Sequence, residues 1–129
     1  MKILIVGCGA REQAIAYKFR NSATECELFS WPSNIAMQDW AKPADLASNA
    51  DIQQVAKWGV ENNLELVVVG PETPLSQGIA DEFAKRGIAV FGPKKYAAQL
   101  ESSKRFAKEL MKRIGIPTAE FEVHTDRNS

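Results

Sequence analysis

Three glycine-led stretches hold the groups in this chain best suited to chemistry. Gly7-Cys8-Gly9-Ala10-Arg11-Glu12 sets two glycines ahead of an arginine and an acid. Gly70-Pro71-Glu72-Thr73-Pro74 fixes a carboxylate between two prolines, and Gly92-Pro93-Lys94-Lys95 ends on two amines. In the first stretch the close glycines let the backbone approach a ligand. Unpaired N–H groups at a following helix start attract anions, and Arg11 adds a two-pronged phosphate contact. The plainer alternative is a tight strand-to-helix turn with an exposed arginine. In the second stretch, prolines that fix φ stiffen the turn around Glu72, whose carboxylate suits a ribose hydroxyl or an amine. It equally suits the positive start of a helix. Lys94 and Lys95 read as solvated surface lysines rather than a phosphate patch.

The pattern around Gly7 is not the dinucleotide fingerprint. That motif needs a small residue where this chain has Glu12, and an acid after the second strand where Phe29, Ser30 and Trp31 stand. A nicotinamide-dependent enzyme would therefore rest on fold analogy alone. Other chemistries lack their residues. The single histidine, His124, lies in a polar tail, so neither a histidine-based triad nor a histidine-rich metal site is available. Cys8 and Cys26 lack metal spacing and read as free thiols of a reducing cytoplasm. Neither a catalytic residue nor a metal ligand is assigned.

The elements that position these loops follow from hydrophobic patterning. After Lys2, Ile3-Leu4-Ile5-Val6 is a continuous apolar run rich in β-branched residues, the mark of a strand covered on both faces. Residues 11–20 have helical spacing, with Ala14, Ile15 and Phe19 on one side. Further strands are predicted at 25–29, weakly at 44–47, at 64–69 and at 88–91. A helical turn is expected within 35–40. Asp51 caps a helix with Ile52, Val55, Ala56 and Gly59 as its stripe. Leu75, Ile79, Ala80, Phe83 and Ala84 form another helix, closed by Gly87. A last helix, capped by Ser102 or Ser103, carries Phe106, Ala107, Leu110, Met111 and Ile114. Such alternation implies parallel strands with right-handed helical crossovers. The predicted fold is α/β, an open doubly wound sheet of four or five strands, with ligands at the carboxyl ends where strand order reverses.

Composition bounds the rest. The chain has 129 residues, is 45% hydrophobic, and balances 16 basic against 16 acidic residues. That is one domain's length. A zero balance, with no basic–aromatic interleaving, argues against a nucleic-acid partner. Trp31, Trp40 and Trp58 read as packing residues. No apolar run approaches the roughly 20 residues that span a bilayer, and residues 3–6 are too short for a signal-peptide core.

On these motifs the chain resembles the N-terminal domain of the phosphoribosylamine–glycine ligases. KILIVGCGAREQA resembles the family's opening strand, glycine loop and Arg-Glu helix. VVVGPETPLSQGIAD, with Gly78 and Asp81, resembles its Gly-Pro-Glu loop. FGPKKYAAQLESSKRFAKELMKRIGIPTA resembles the segment leading into an ATP-grasp region. The resemblance implies a Rossmann-like, pre-ATP-grasp domain spanning residues 1–101. It also implies a helix and linker over 102–121 leading to an ATP-grasp domain in cis, and a polar tail over 122–129. It implies a reaction that joins glycine to 5-phosphoribosylamine in purine biosynthesis, with ATP and Mg2+ used by the full-length enzyme and none expected in this chain alone. Carried over, Gly7, Gly9 and Arg11 face the sugar phosphate and Glu12 orders the loop. Asn34, in a Pro-Ser-Asn counterpart of the family's Pro-Gly-Asn loop, and Gly70, Pro71 and Glu72 line the same cleft. Lys104 approaches ATP phosphates.

The departures are Gln13 where histidine is usual, Ala10 for a second glycine, and Ser33 with Ile35-Ala36 where glycine is common. The expectation is a fragment of a longer cytoplasmic ligase, inactive alone. The alternative is a shortened, stand-alone phosphosugar-binding or partner-docking module.

Overall fold

The computed structural model describes residues 1–124. Five parallel strands form one sheet in the order β3-β2-β1-β4-β5: β1 (Lys2–Val6), β2 (Glu27–Trp31), β3 (Lys42–Pro43), β4 (Leu66–Val69) and β5 (Ala89–Phe91). Six helices accompany them: α1 (Ala10–Arg20), α2 (Ile52–Glu61), α3 (Glu72–Gln77), α4 (Ile79–Lys85), α5 (Lys95–Ser102) and α6 (Lys104–Arg113). A 3-10 turn spans Ile35–Met37. The fold is the doubly wound α/β sheet expected from the alternation.

β1 shows why it is wound on both sides. Ile3, Leu4, Ile5 and Val6 are all wholly buried, although alternate side chains leave opposite faces of the sheet. Leu4 and Val6 pack with Val55, Trp58, Val67, Val69 and Phe83 under α2 to α4. Ile3 and Ile5 join Leu28, Val68, Ala16 and Met37 under α1 and the 3-10 turn. Each such side chain contributes about 1.5–3 kcal/mol by leaving water.

Several boundaries differ from the sequence expectation. The second strand runs two residues later than 25–29, because its register is set by β1, from Lys2 opposite Glu27 to Val6 opposite Trp31. The third lies at Lys42–Pro43, not 44–47, pairing with Phe29 and Ser30. On α1 the inward residues are Glu12 and Ala16, with Ile15 and Phe19 partly buried, while Ala14 faces water.

The single helix expected after Gly70 is two. Gly78 has φ +103, a left-handed conformation that breaks α3 from α4 and that side-chain-bearing residues seldom adopt. α5 was not anticipated, because its cap is distant in sequence: the Lys95 N–H donates to Asp81 Oδ2 at 2.7 Å. Local signals served better elsewhere. Asp51 and Gln54 form a reciprocal capping box on α2, and Ser103 caps α6.

Candidate functional site

Strand order reverses between β1 and β4. β1 leads outward to β2 on one side and pairs with β4 on the other, Val6 opposite Val69. The loops leaving these two strands, at Gly7 and Gly70, are therefore neighbours at the carboxyl edge. This is where open α/β sheets bind ligands.

The space between the loops is filled by Glu12. A Cβ on Gly70 would lie 1.9 Å from Glu12 Oε1, and one on Gly7 would lie 2.7 Å from its Cγ and 2.8 Å from Pro71 Cδ. Gly7 also has φ +118. The missing side chains are what admit the acid. Glu12 is 4% exposed. Its Oε2 accepts the Gly9 N–H at 2.9 Å and its Oε1 accepts Arg11 Nε at 2.8 Å. Burial, the largest single influence, opposes ionisation. The hydrogen bonds from Arg11 and Gly9, with the Arg11 charge, outweigh it and hold the carboxyl below its ordinary range.

This revises the expected anion cradle. The Gly7 N–H donates to Trp31 O, the Gly70 N–H to Val6 O, and the Gly9 N–H to Glu12. The glycine amides thus serve the protein. The donors left for an anion are the first-turn N–H groups of α1 at Ala10 and Arg11, which have no intrahelical acceptor, and the outer nitrogens of Arg11. The Arg11 guanidinium lies in an acidic setting. The hydrogen bond to Glu12 raises its pKa most, and the charges of Glu12, Glu101 and Glu72 add to this against desolvation. Glu101, on α5, escaped sequence reasoning because α5 itself did.

The loop after β2 closes one side. The Asn34 side-chain amide donates to the Cys8 carbonyl, and its Oδ1 accepts the Met37 N–H at 3.0 Å. Gln13 Nε2 donates to Ala36 O at 3.2 Å, so it braces the same loop. Ser33 accepts from the buried Ser30 hydroxyl at 2.9 Å. On the other side Pro71 precedes α3, and Glu72 stands exposed in that helix's first turn. Beyond it a recess of about 580 Å³ opens between Trp31, Asp51 and Pro74. Trp31 itself is a packing residue, its Nε1 donating to Ala47 O at 2.9 Å.

Arg11, Glu12, Asn34, Gly70, Pro71 and Glu72 are therefore gathered around Gly7 and Gly9. Lys104 is exposed at the start of α6, and Lys94 and Lys95 are also exposed. Among the described residues no group of three or more His, Cys, Asp or Glu side chains is placed to hold a metal. Within the same residues no helix is long and apolar enough to cross a membrane. The polar tail from residue 125 onward lies outside the described residues.

A doubly wound sheet with glycine loops meeting at its switch point defines the class, an open parallel α/β domain. Sequence comparison gives the particular family. Residues 1–101 match the family model for the phosphoribosylglycinamide synthetase N domain, and the chain belongs to that family. It is 42% identical over 125 residues to a phosphoribosylamine–glycine ligase of Halalkalibacterium halodurans, covering 97% of this chain and 29% of that protein. It is 41% identical over 130 residues to the trifunctional purine biosynthetic protein adenosine-3 of Drosophila pseudoobscura pseudoobscura, covering 98% of this chain and 10% of that protein. The chain thus spans under a third of either relative.

Among solved structures, phosphoribosylamine–glycine ligase from Thermotoga maritima superposes with a TM-score of 0.69 at 28% identity. The match covers 95% of this chain and 27% of that one. N5-carboxyaminoimidazole ribonucleotide synthetase from the same organism superposes at 0.68 with 18% identity, covering 98% of this chain and 34% of that one, a likeness of fold alone.

Proposed function

We propose that this chain is the phosphosugar-binding domain of a cytoplasmic ATP-dependent ligase that joins glycine to 5-phosphoribosylamine in purine biosynthesis, and that it is inactive alone. The observation that carries this reading is the placing of Arg11 and Glu72 on either side of the β1–β4 switch point, in a chain of this family. The sugar phosphate sits over the first turn of α1, against the Ala10 and Arg11 amides and the outer nitrogens of Arg11. Gly7 and Gly9 give the loop its shape, Glu12 holds it from beneath, and Asn34 fixes its flank. Gly70 and Pro71 set Glu72 to accept hydrogen bonds from the sugar or its amine.

ATP and Mg2+ would supply the activating phosphoryl transfer on an ATP-grasp domain in cis. What this chain offers that domain is Lys104, exposed at the start of α6, and among the described residues no acidic cluster placed to hold a metal. Residues 1–101 form the substrate domain, and 102–121 lead toward the remainder. The exposed apolar side chains of Phe91, Tyr96 and Leu100 are what the second reading, a partner-docking module, has in its favour.

Titration of the chain with ribose 5-phosphate, followed by backbone amide NMR, tests the reading. Shifts are expected at residues 8–11 and 70–72. Saturating ligand with no shift at either loop would overturn it. A second check is turnover: ADP release by this chain with glycine and phosphoribosylamine would contradict its inactivity alone.

A further inference from the structure

We propose that Glu12 determines specificity at the switch point, by occupying the crevice in which a pyrophosphate-bearing ligand would lie and leaving room for a single phosphate outside it. The spacing Gly7-x-Gly9-x-x-Glu12 puts this acid where the dinucleotide pattern requires its small third residue. That small residue lets helix and strand approach while the pyrophosphate rests on the glycine backbone. Here the side chain turns inward and takes both the space and the amide.

The space is taken because Glu12 stands where side chains of Gly7 and Gly70 would be, with its Cδ 2.5 Å from a Cβ built on Gly70. The amide is taken because the Gly9 N–H, in the glycine loop ahead of α1, is bonded to Oε2 at 2.9 Å. Arg11 Nε holds Oε1 at 2.8 Å, so the carboxylate is gripped from two sides by charge-assisted or backbone bonds. Its negative charge, 4% exposed at the mouth of the crevice, adds repulsion toward a second phosphate. The ligand class that remains is a monophosphate lying over Ala10 and Arg11, and this half of the inference rests on the phosphosugar reading above. The half that concerns exclusion does not.

The test separates occupancy from charge. Glu12→Gln keeps the volume and an acceptor for Gly9 but removes the charge, whereas Glu12→Ala removes both. Inorganic pyrophosphate and ribose 5-phosphate are titrated into the chain and both variants, with amide shifts as the readout. The expected result is at least a roughly tenfold gain in pyrophosphate affinity, about 1.4 kcal/mol, in the alanine variant over the glutamine variant. The Gly9 and Gly70 amides should then shift.

Equal gains in both variants would show a charge effect only and overturn the proposal, as would no gain in a folded alanine variant. Should Glu12→Ala fail to give a folded spectrum, Glu12→Ser serves as the opener. If neither folds, Glu12 is a folding residue and the specificity role falls. Loss of the phosphosugar reading shows separately, as absence of ribose 5-phosphate shifts in the unaltered chain.

Discussion

At the tips of β1 and β4 a carboxylate is 4% exposed and satisfied, whereas along the last two helices Tyr96, Leu100 and Ile114 stand 70%, 52% and 57% exposed. The first region is held by groups far apart in sequence: Glu12 fits only because positions 7 and 70 lack side chains. In the second, α5 is still tied to distant groups, through the Asp81 cap and through Ala98 in the core, but α6 is held by neighbours. Ser103 caps α6, Arg105 Nε pairs with Glu109 at 2.8 Å one turn away, and Tyr96 meets Phe106 edge-to-face at 5.6 Å. Non-local contacts resist local fraying. Short-range ones of a few tenths of a kcal/mol each do not. The sheet and its carboxyl edge are thus the rigid part, and α6 the yielding part.

The largest expected contrast is in core truncation. Phe83 is wholly buried, and Phe83→Ala should cost about 3–5 kcal/mol in urea unfolding. Leu110→Ala, on the half-buried face of α6, should cost about 1 kcal/mol or less. Comparable losses would break the comparison.

Next is glycine. Gly70→Ala meets the Glu12 carboxylate and should cost about 1–3 kcal/mol, read from the urea midpoint. Gly115→Ala meets nothing within 4 Å and bears only the strain of φ +73, so about 1 kcal/mol is expected. If Gly115→Ala proved the costlier, crowding at Gly70 would not be what makes the switch point rigid.

Acid should lower stability through two carboxylates, Glu82 on α4 and Glu12 at the switch point. Lys85 and Arg86, with a hydrogen bond from Gln53, hold the Glu82 carboxyl down at about 2, and Glu12 is also lowered. A depressed folded-state pKa gives stability that is present above the ordinary value near 4.5 and is lost as pH falls toward 2. The Tm should therefore fall through that window, and Glu82→Gln should flatten the fall. A Tm independent of pH there would sink the assignment.

The smallest effect belongs to the yielding part. Arg105→Ala, which removes an exposed i,i+4 pair, should change stability by under about 0.5 kcal/mol in thermal melts.

Legibility in sequence followed the same divide. Ile3 to Val6 announced a strand covered on both faces, because a short apolar run rich in β-branched residues, with no polar alternation and stopped by Gly7, is too short for a helix. Asp51 and the pair Ser102-Ser103 announced helix starts, because a cap lies three residues from the amide it accepts, and the structure gives that role to Ser103. The inward face of α1 misled, since its most buried members are an alanine and a glutamate rather than the large apolar residues that periodicity weighs. Gly78 misled too. Leu75, Ile79 and Phe83 keep helical spacing across it, yet the chain turns left-handed there, which leaves Asp81 at the start of α4 to cap α5.

The sequence by itself determined β1, β4 and β5, the glycine loops that follow them, the doubly wound class and the family. All of these rest on local pattern and on motifs read in order. Only the tertiary structure decided what lies between the two loops. Whether Glu12 points into water or into the crevice depends on side chains absent at positions 7 and 70, brought together by the pairing of β1 with β4. A carboxylate's burial is a property of its surroundings, and those are assembled only when the chain folds.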